Sequence, residues 1–386
     1  MLFCRRGDFI KQIMSGIYVH FPFCKKKCLY CNFYSVGKLA DKERYLAALL
    51  QEISRTCDYL PERKIQTLYF GGGTPSLFAI AELSMVIEAL KREYEFSDRL
   101  EFTMEANPEQ LTKEYLAGLK SLGINRLSIG VQSFRDDILR LLGRRHDAAR
   151  ALQSIHDAAA AGFDNLSIDL IYGIFARSDG DWEQEVRQAV ELPISHLSAY
   201  SLTVEENTLL YQKIKNGTLP PVDDDKAVRD YHALLQTVEA AGFEQYEISN
   251  FSRNGKISRH NWGYWTQQPY LGLGAAAHSY NLHERKWNVS DIGKYIEACN
   301  QGTPCDESEK LTDSDKFNEY VLLGLRTRKG LDLEEMSQRF GEGKANMVRE
   351  QCEKLDAGLC RRDGRNISLT AEGLLYADKI AMDLFD

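Results

Sequence analysis

Ile17-Tyr18-Val19-His20-Phe21 runs, after Pro22 and Phe23, straight into Cys24-Lys25-Lys26-Lys27-Cys28-Leu29-Tyr30-Cys31. The first five residues are β-branched, aromatic and apolar at the positions where a strand needs them. The stretch after them crowds three cysteines into eight residues at x3 and x2 spacing. Thiols this close read as metal ligands rather than as halves of disulfides.

Outward from this stretch the strand-then-loop pattern repeats. Strands are expected at Ile17–Phe21, Thr67–Phe70, Leu100–Ala106, Arg126–Gln132, Asn165–Tyr172 and His196–Leu202. Between them Asp41–Tyr59, Ile80–Tyr94, Thr112–Leu122, Asp136–Leu142, Ala148–Ala161 and Asp181–Glu191 carry apolar residues at i, i+3 and i+4, the period of a helix with one buried face. Six successive βα units predict a parallel sheet. Right-handed crossovers that keep moving in one direction curl such a sheet into a partial (βα)6 TIM-like barrel, with the site at the carboxyl ends of the strands. A flat doubly wound sheet is the rival arrangement.

After Leu202 the alternation stops. Lys226–Ala241 reads as a helix and Glu244–Ser249 as a strand, and Asn250 to Tyr280 reads as a Gly- and aromatic-rich loop. From Thr312 three helices (Phe317–Arg328, Leu333–Phe340, Ala345–Ala357), a Gly-turned ribbon (Cys360–Leu369) and a last helix (Ala371–Leu384) make a winged-helix-like α+β pattern. The expected divisions are therefore a disordered extension at 1–15, a core at 16–250, a connecting segment at 251–310 and the C-terminal module at 311–386. Met14 reads as an alternative start, which would leave Cys4 without a role.

Composition excludes several functions. With 48 Lys+Arg against 56 Asp+Glu the net charge is -8, so no broad basic field exists to hold nucleic acid. The third helix of the C-terminal module mixes acids and bases, which favours a packing or contact module over a DNA reader. Nine cysteines are an odd number, and six of them (Cys4, Cys57, Cys299, Cys305, Cys352 and Cys360) are scattered, which points to a reducing compartment; no secretory signal is legible, so a cytoplasmic location is expected. An acidic chain of this kind is compatible with transient docking beside a membrane-bound acceptor, and with a homodimer.

For the cysteine cluster two chemistries compete. Tetrahedral zinc needs a fourth ligand, for which His20 is nearby, whereas a four-iron cluster on three thiolates leaves one iron open to a non-protein ligand. Embedding in a long βα array favours the iron cluster, because a zinc knuckle usually forms a small loop-rich module. Gly71-Gly72-Gly73-Thr74-Pro75 follows the second strand: the glycines let the backbone approach a ligand, and Thr74-Pro75 reads as a helix cap and first helical residue. Glu105, Gln132 and Asp169 then fall at successive strand ends, where a barrel gathers its site.

CxxxCxxC after the first strand of such an array resembles the radical SAM superfamily. YVHFPFC, YFGGGTPS, EANPE, LSIGVQSF, LGRRHD and SIDLIYG are similar, more narrowly, to its group containing HemN, the oxygen-independent coproporphyrinogen III dehydrogenase, and the heme chaperone HemW. The resemblance spans most of residues 16 to 280 and extends loosely to the C-terminal module. It implies a [4Fe-4S] cluster on Cys24, Cys28 and Cys31, with Tyr18 nearby. It also implies S-adenosylmethionine (SAM) against Gly72, Gly73, Thr74, Glu105, Gln132, Arg144 and Asp169, and an electron donor for the cluster. Arg144 would pair the SAM carboxylate, and Lys25, Lys26 and Lys27 would favour the thiolates.

Within the group, dehydrogenases carry a fourth cysteine two residues after the third, where this chain has Phe33, and a longer N-terminal segment. His260-Asn261-Trp262-Gly263-Tyr264-Trp265 fits the HNxxYW pattern of the chaperones. The resemblance thus implies binding of heme and delivery to a heme-accepting protein, without coproporphyrinogen dehydrogenase activity. His260 is expected as an axial ligand with Tyr264 and Trp265 against the porphyrin, and His278 in reserve. The alternative is the dehydrogenase itself.

Overall fold

In the computed structural model, which describes residues 14–178, 180–304 and 306–386, the sheet is built by strict alternation. Ile17, Val19 and Phe21 of β1 (Ser15–Phe21) are fully buried on one face, as are Leu68 and Phe70 of β2 (Lys64–Gly72). Phe102 and Met104 of β3 (Glu95–Ala106), Leu127, Ile129 and Val131 of β4 (Arg126–Gln132), Ile168 and Leu170 of β5 (Leu166–Tyr172) and Leu197 of β6 (His196–Ser201) continue it. This face packs with buried residues of the helices Lys42–Arg55, Ile80–Glu93, Lys113–Ser121, Ala148–Ala160, Asp181–Glu191 and Asp224–Ala240 in one apolar core. Burying each of these side chains stabilises by about 1.5–3 kcal/mol, so the register is tightly specified.

β1 to β6 lie side by side in sequence order and all pair in parallel. A doubly wound sheet reverses its order at a switch point. This one does not, and the fold is the partial (βα)6 barrel, with residues of the other strand face turned into its lumen. That face reads Tyr18 and His20, Thr67 and Tyr69, Thr103 and Glu105, Arg126 and Ser128, Ser167 and Asp169, His196 and Ser198, matched across the ladders as Tyr18↔Tyr69, Thr103↔Arg126, Glu105↔Ser128 and Asp169↔Ser198. The lumen is polar because every second residue of the same strands is.

The stretch from Asn250 to Tyr280, expected as a loop, is instead structured. It contains β8 (Asn250–Ser252), which pairs with β6 and with β7 (Glu244–Glu247), then the helix Arg259–Trp265, β9 (Tyr270–Leu273) and β10 (His278–Tyr280). β9 joins β1 in parallel, and β10, β11 (Glu284–Asn288) and β12 (Asp306–Lys310) extend the sheet antiparallel to twelve strands. These pieces are three to seven residues long, too short for a period to declare itself. Buried Glu52 clamps them to the helix Lys42–Arg55, accepting from Gly274 N (2.7 Å), Asn288 Nδ2 (2.5 Å) and Tyr295 OH (2.6 Å).

The C-terminal residues have a separate core of Phe317, Val321, Leu325, Met336, Val348 and Ile367. Helix Asp313–Leu325 is followed by β13 (Leu331–Asp332), helices Leu333–Phe340 and Glu342–Lys354, β14 (Cys360–Asp363) and β15 (Asn366–Leu369), and the three strands form a sheet in the spatial order β13, β15, β14. The last helix is broken into Ala371–Leu374 and Ala377–Asp383. This unit docks on the sheet edge through Ile248 N to Arg326 O (3.0 Å), Arg328 N to Tyr246 O (3.1 Å) and Arg339 Nη2 to Gln267 Oε1 (2.8 Å). Among the described residues no helix is long and apolar enough to cross a membrane. Residues 1–13, with Cys4, lie outside the described residues, as does most of the expected extension.

Candidate functional site

The carboxyl ends of β1 to β6 open into a cavity of about 750 Å³. Its wall holds all three clustered cysteines, Gly72, Gly73, Thr74, Glu105, Gln132, Arg144 and Asp169, gathered from six loops or strand ends. Tyr18 is not in this wall. It sits one layer down, its hydroxyl 3.0 Å from His20 Nδ1. His20 meets the Tyr34 carbonyl through Nε2 (2.9 Å), and burial lowers its pKa to about 4. With both nitrogens engaged, His20 is no fourth metal ligand.

Cys24, Cys28 and Cys31 are free and partly exposed, on a loop whose Cys24 N–H is held by Val36 O (3.0 Å) and whose Leu29 N–H is held by Leu142 O (3.0 Å). Thr74 stands at the N-cap of the short 3-10 helix Pro75–Leu77, with Pro75 its first residue, as the sequence predicts. Its hydroxyl makes no capping bond; it lies 3.5 Å from Cys24 Sγ and accepts from Asn107 Nδ2 (3.2 Å). Arg144 reaches Cys28 Sγ with Nη1 (3.5 Å) while Nη2 donates to Asn107 Oδ1 and to Gly130 O (2.6 Å). Burial raises the Cys31 thiol, against a lowering contribution from Lys27. Among the described residues no three His, Cys, Asp or Glu groups are placed to hold one metal ion.

Glycine is required where the loop after β2 returns to β1. Gly72 has φ +108°, and a Cβ there would stand 2.5 Å from the His20 ring; one on Gly73 would meet Phe21 O and Phe23 O at 2.8 Å. Gly72 N donates to Glu105 Oε2 (3.1 Å) and Tyr69 OH to Oε1 (2.8 Å), yet burial outweighs both and moves Glu105 up to about 7. Asp169, also raised by burial, accepts from Ser128 Oγ (3.3 Å). Gln132 takes φ 71°, and the loop after it is pinned by buried Glu185, which accepts from Ser133 Oγ (2.6 Å), Phe134 N (2.7 Å) and Arg177 Nε (2.8 Å).

Of the HNxxYW residues Asn261 lines this cavity, whereas His260, Tyr264 and Trp265, expected against heme, are placed outside its wall. His260 is 3% exposed at the amino end of the lumen, where Gly16 leaves it room. Its Nδ1 lies 2.8 Å from Thr67 Oγ1 and its Nε2 2.8 Å from Tyr264 OH, so both ring nitrogens, the donor and the acceptor, are already engaged. Glu101 accepts from the backbone of Arg259 and His260 (both 3.0 Å). The motif therefore plugs the barrel. Tyr264 packs on Tyr270 with ring centroids 4.6 Å apart, Arg326 covers Trp265 at 5.7 Å, and His278 is exposed on β10 against Trp287; Tyr264, Trp265 and His278 do not line the cavity.

Sequence reasoning missed Tyr69, Asn107, Tyr200 and Arg126 in the wall. The signal was present: in Arg126-Leu-Ser-Ile-Gly-Val-Gln132 the apolar residues alternate with Arg126, Ser128, Gly130 and Gln132, which must share the opposite face.

Residues 18–189 match the model of the radical SAM superfamily, and residues 311–376 that of the HemN C-terminal domain. The chain is 33% identical to the heme chaperone HemW of Bacillus subtilis over 95% of this chain and 98% of that one. It is 36% identical to the heme chaperone HemW of Mycobacterium tuberculosis over 96% and 94%. Coproporphyrinogen III oxidase (HemN) from Escherichia coli superposes with a TM-score of 0.83 at 24% identity, covering 97% of this chain and 90% of that one.

Proposed function

Because this chain belongs to the HemN/HemW group of the radical SAM superfamily, we propose that it is a heme chaperone, binding heme and passing it to a heme-accepting protein. The observation that carries this reading is end-to-end similarity to chaperones named HemW, spanning 98% of the Bacillus protein. Phe33 adds support: it is 69% exposed in the cavity wall, where the dehydrogenase pattern has a cysteine.

In this reading Cys24, Cys28 and Cys31 hold a [4Fe-4S] cluster, since three thiols on one cavity wall give three irons a ligand and leave the fourth open. When bound, the cluster supplies one-electron chemistry to SAM, with an electron donor as a further partner. Gly72 and Gly73 let SAM approach the backbone, Thr74 and Gln132 offer polar atoms, and Asp169 accepts from its hydroxyls. Arg144, held by Asn107 and Gly130, fixes its guanidinium beside Cys28 at the SAM side of the cavity. Glu105, titrating near neutrality, either accepts or donates at its oxygen. The work is expected in the cytoplasm. No axial heme ligand is assigned.

A paired assay on anaerobically reconstituted protein tests the reading: heme retained after gel filtration, and coproporphyrinogen III converted in the presence of SAM and a reductant. Heme retention without conversion is expected. Conversion that depends on SAM and an intact cluster would replace the chaperone by the dehydrogenase.

A further inference from the structure

Arg126 opens β4 and points into the lumen, opposite Thr103 in the ladder. It is 1% exposed and contributes to the cavity wall. Its Nε and Nη1 are buried and have no hydrogen-bond partner, and it forms no ion pair among the described residues. Arg144, by contrast, spends its guanidinium on Asn107, Gly130 and Cys28. A buried charge with unmade hydrogen bonds is costly, and natural structures pair it or give it a ligand.

The donors of a guanidinium form a planar fork that matches a carboxylate. The carboxylates of Glu105 and Asp169 line the same wall and feel its charge without pairing with it, while Tyr69, Ser198, Tyr200 and Asn261 are uncharged groups of that wall that suit an organic ligand rather than a hydrated ion. We infer that Arg126 is a carboxylate-binding residue of the inner cavity, which anchors an acidic ligand at the end of the lumen away from the cysteines. This rests on the proposed function, in which the chain binds SAM and heme, both of which carry carboxylates: the methionyl group of one, the propionates of the other.

The test crosses a truncated residue with truncated ligands. Wild type and Arg126→Gln, both reconstituted with cluster, are titrated with SAM and decarboxylated SAM, and with heme and heme dimethyl ester. For the pair that uses Arg126, the substitution should weaken the acid by about tenfold or more and leave the truncated ligand nearly unchanged. Such coupling in the SAM pair assigns the methionyl carboxylate, and in the heme pair a propionate. No coupling in either pair, with iron content and circular dichroism intact, overturns the inference. If Arg126→Gln does not fold, Arg126→Lys enters the same cycle, keeping the charge and losing the fork. Coupling to SAM in a protein that retains no heme would sink the chaperone reading and leave Arg126 in place.

Discussion

At the scale of residues, three neighbourhoods carry separable expectations. Replacing Cys24, Cys28 or Cys31 by Ala should sharply lower iron and sulfide in anaerobically purified protein. Cys57→Ala, outside the cavity wall, should not. Stoichiometric zinc with no iron on reconstitution would defeat this. Asp169→Ala removes one charge-assisted acceptor and no thiolate, so SAM affinity should fall roughly 10- to 150-fold with iron content unchanged, read by calorimetric titration. Glu105 is held near 7 by burial, well above a solvated carboxyl. Between about 4.5 and 7 the folded chain keeps a proton that the unfolded chain has lost, so stability declines as pH rises through that window, by up to about 3 kcal/mol from this group. Urea midpoints of the cofactor-free protein from pH 5 to 8 should therefore slope less in Glu105→Gln. Some slope should persist, because burial also moves Glu247 up to about 7.

Elements act here by pinning loops at the ends of strands. Glu185, on the helix Asp181–Glu191, receives the loop after β4 and Arg177, which also donates to Ile171 O. Glu185→Ala strands a buried guanidinium and should destabilise by about 3–5 kcal/mol in urea unfolding. An effect below 1 kcal/mol would show that the loop does not depend on it. The helix Arg259–Trp265 makes a different case. His260→Ala opens space between Tyr18 and Tyr69, whose rings lie 6.5 and 5.1 Å from it, and leaves Thr67 and Tyr264 without their partner. A loss of about 1–3 kcal/mol is expected, with the heme absorption spectrum unaltered. A changed spectrum with stability preserved would restore the imidazole as an axial ligand.

Across the whole molecule one periodicity does two jobs. The apolar positions of β1 to β6 bury against the helices, and the polar positions between them line a lumen whose open end is ringed by cysteine, glycine, carboxylate and arginine. Function and stability are thereby assigned to opposite faces of the same strands. The antiparallel strands on both flanks and the C-terminal module leave the cavity a second margin, where Ile248, Ser249, Asn261 and Arg326 join its wall.

The sequence by itself determined the βα order, the cysteine loop, the glycine turn and the strand-end polar residues, because each is a local pattern of spacing or of side-chain alternation. It also carried the C-terminal run of helices and ribbon, though not the break at Leu375 and Tyr376. Only the tertiary structure decided that the six strands keep one direction, that β9 lies beside β1, and that His260 is spent inside the barrel. Those depend on contacts between residues far apart in the chain, such as Gly16 with Tyr270 and Thr67 with His260. A motif shows which polar atoms are available; only packing shows whether they are already engaged, as at His260, or left without a partner, as Nε and Nη1 of Arg126 are.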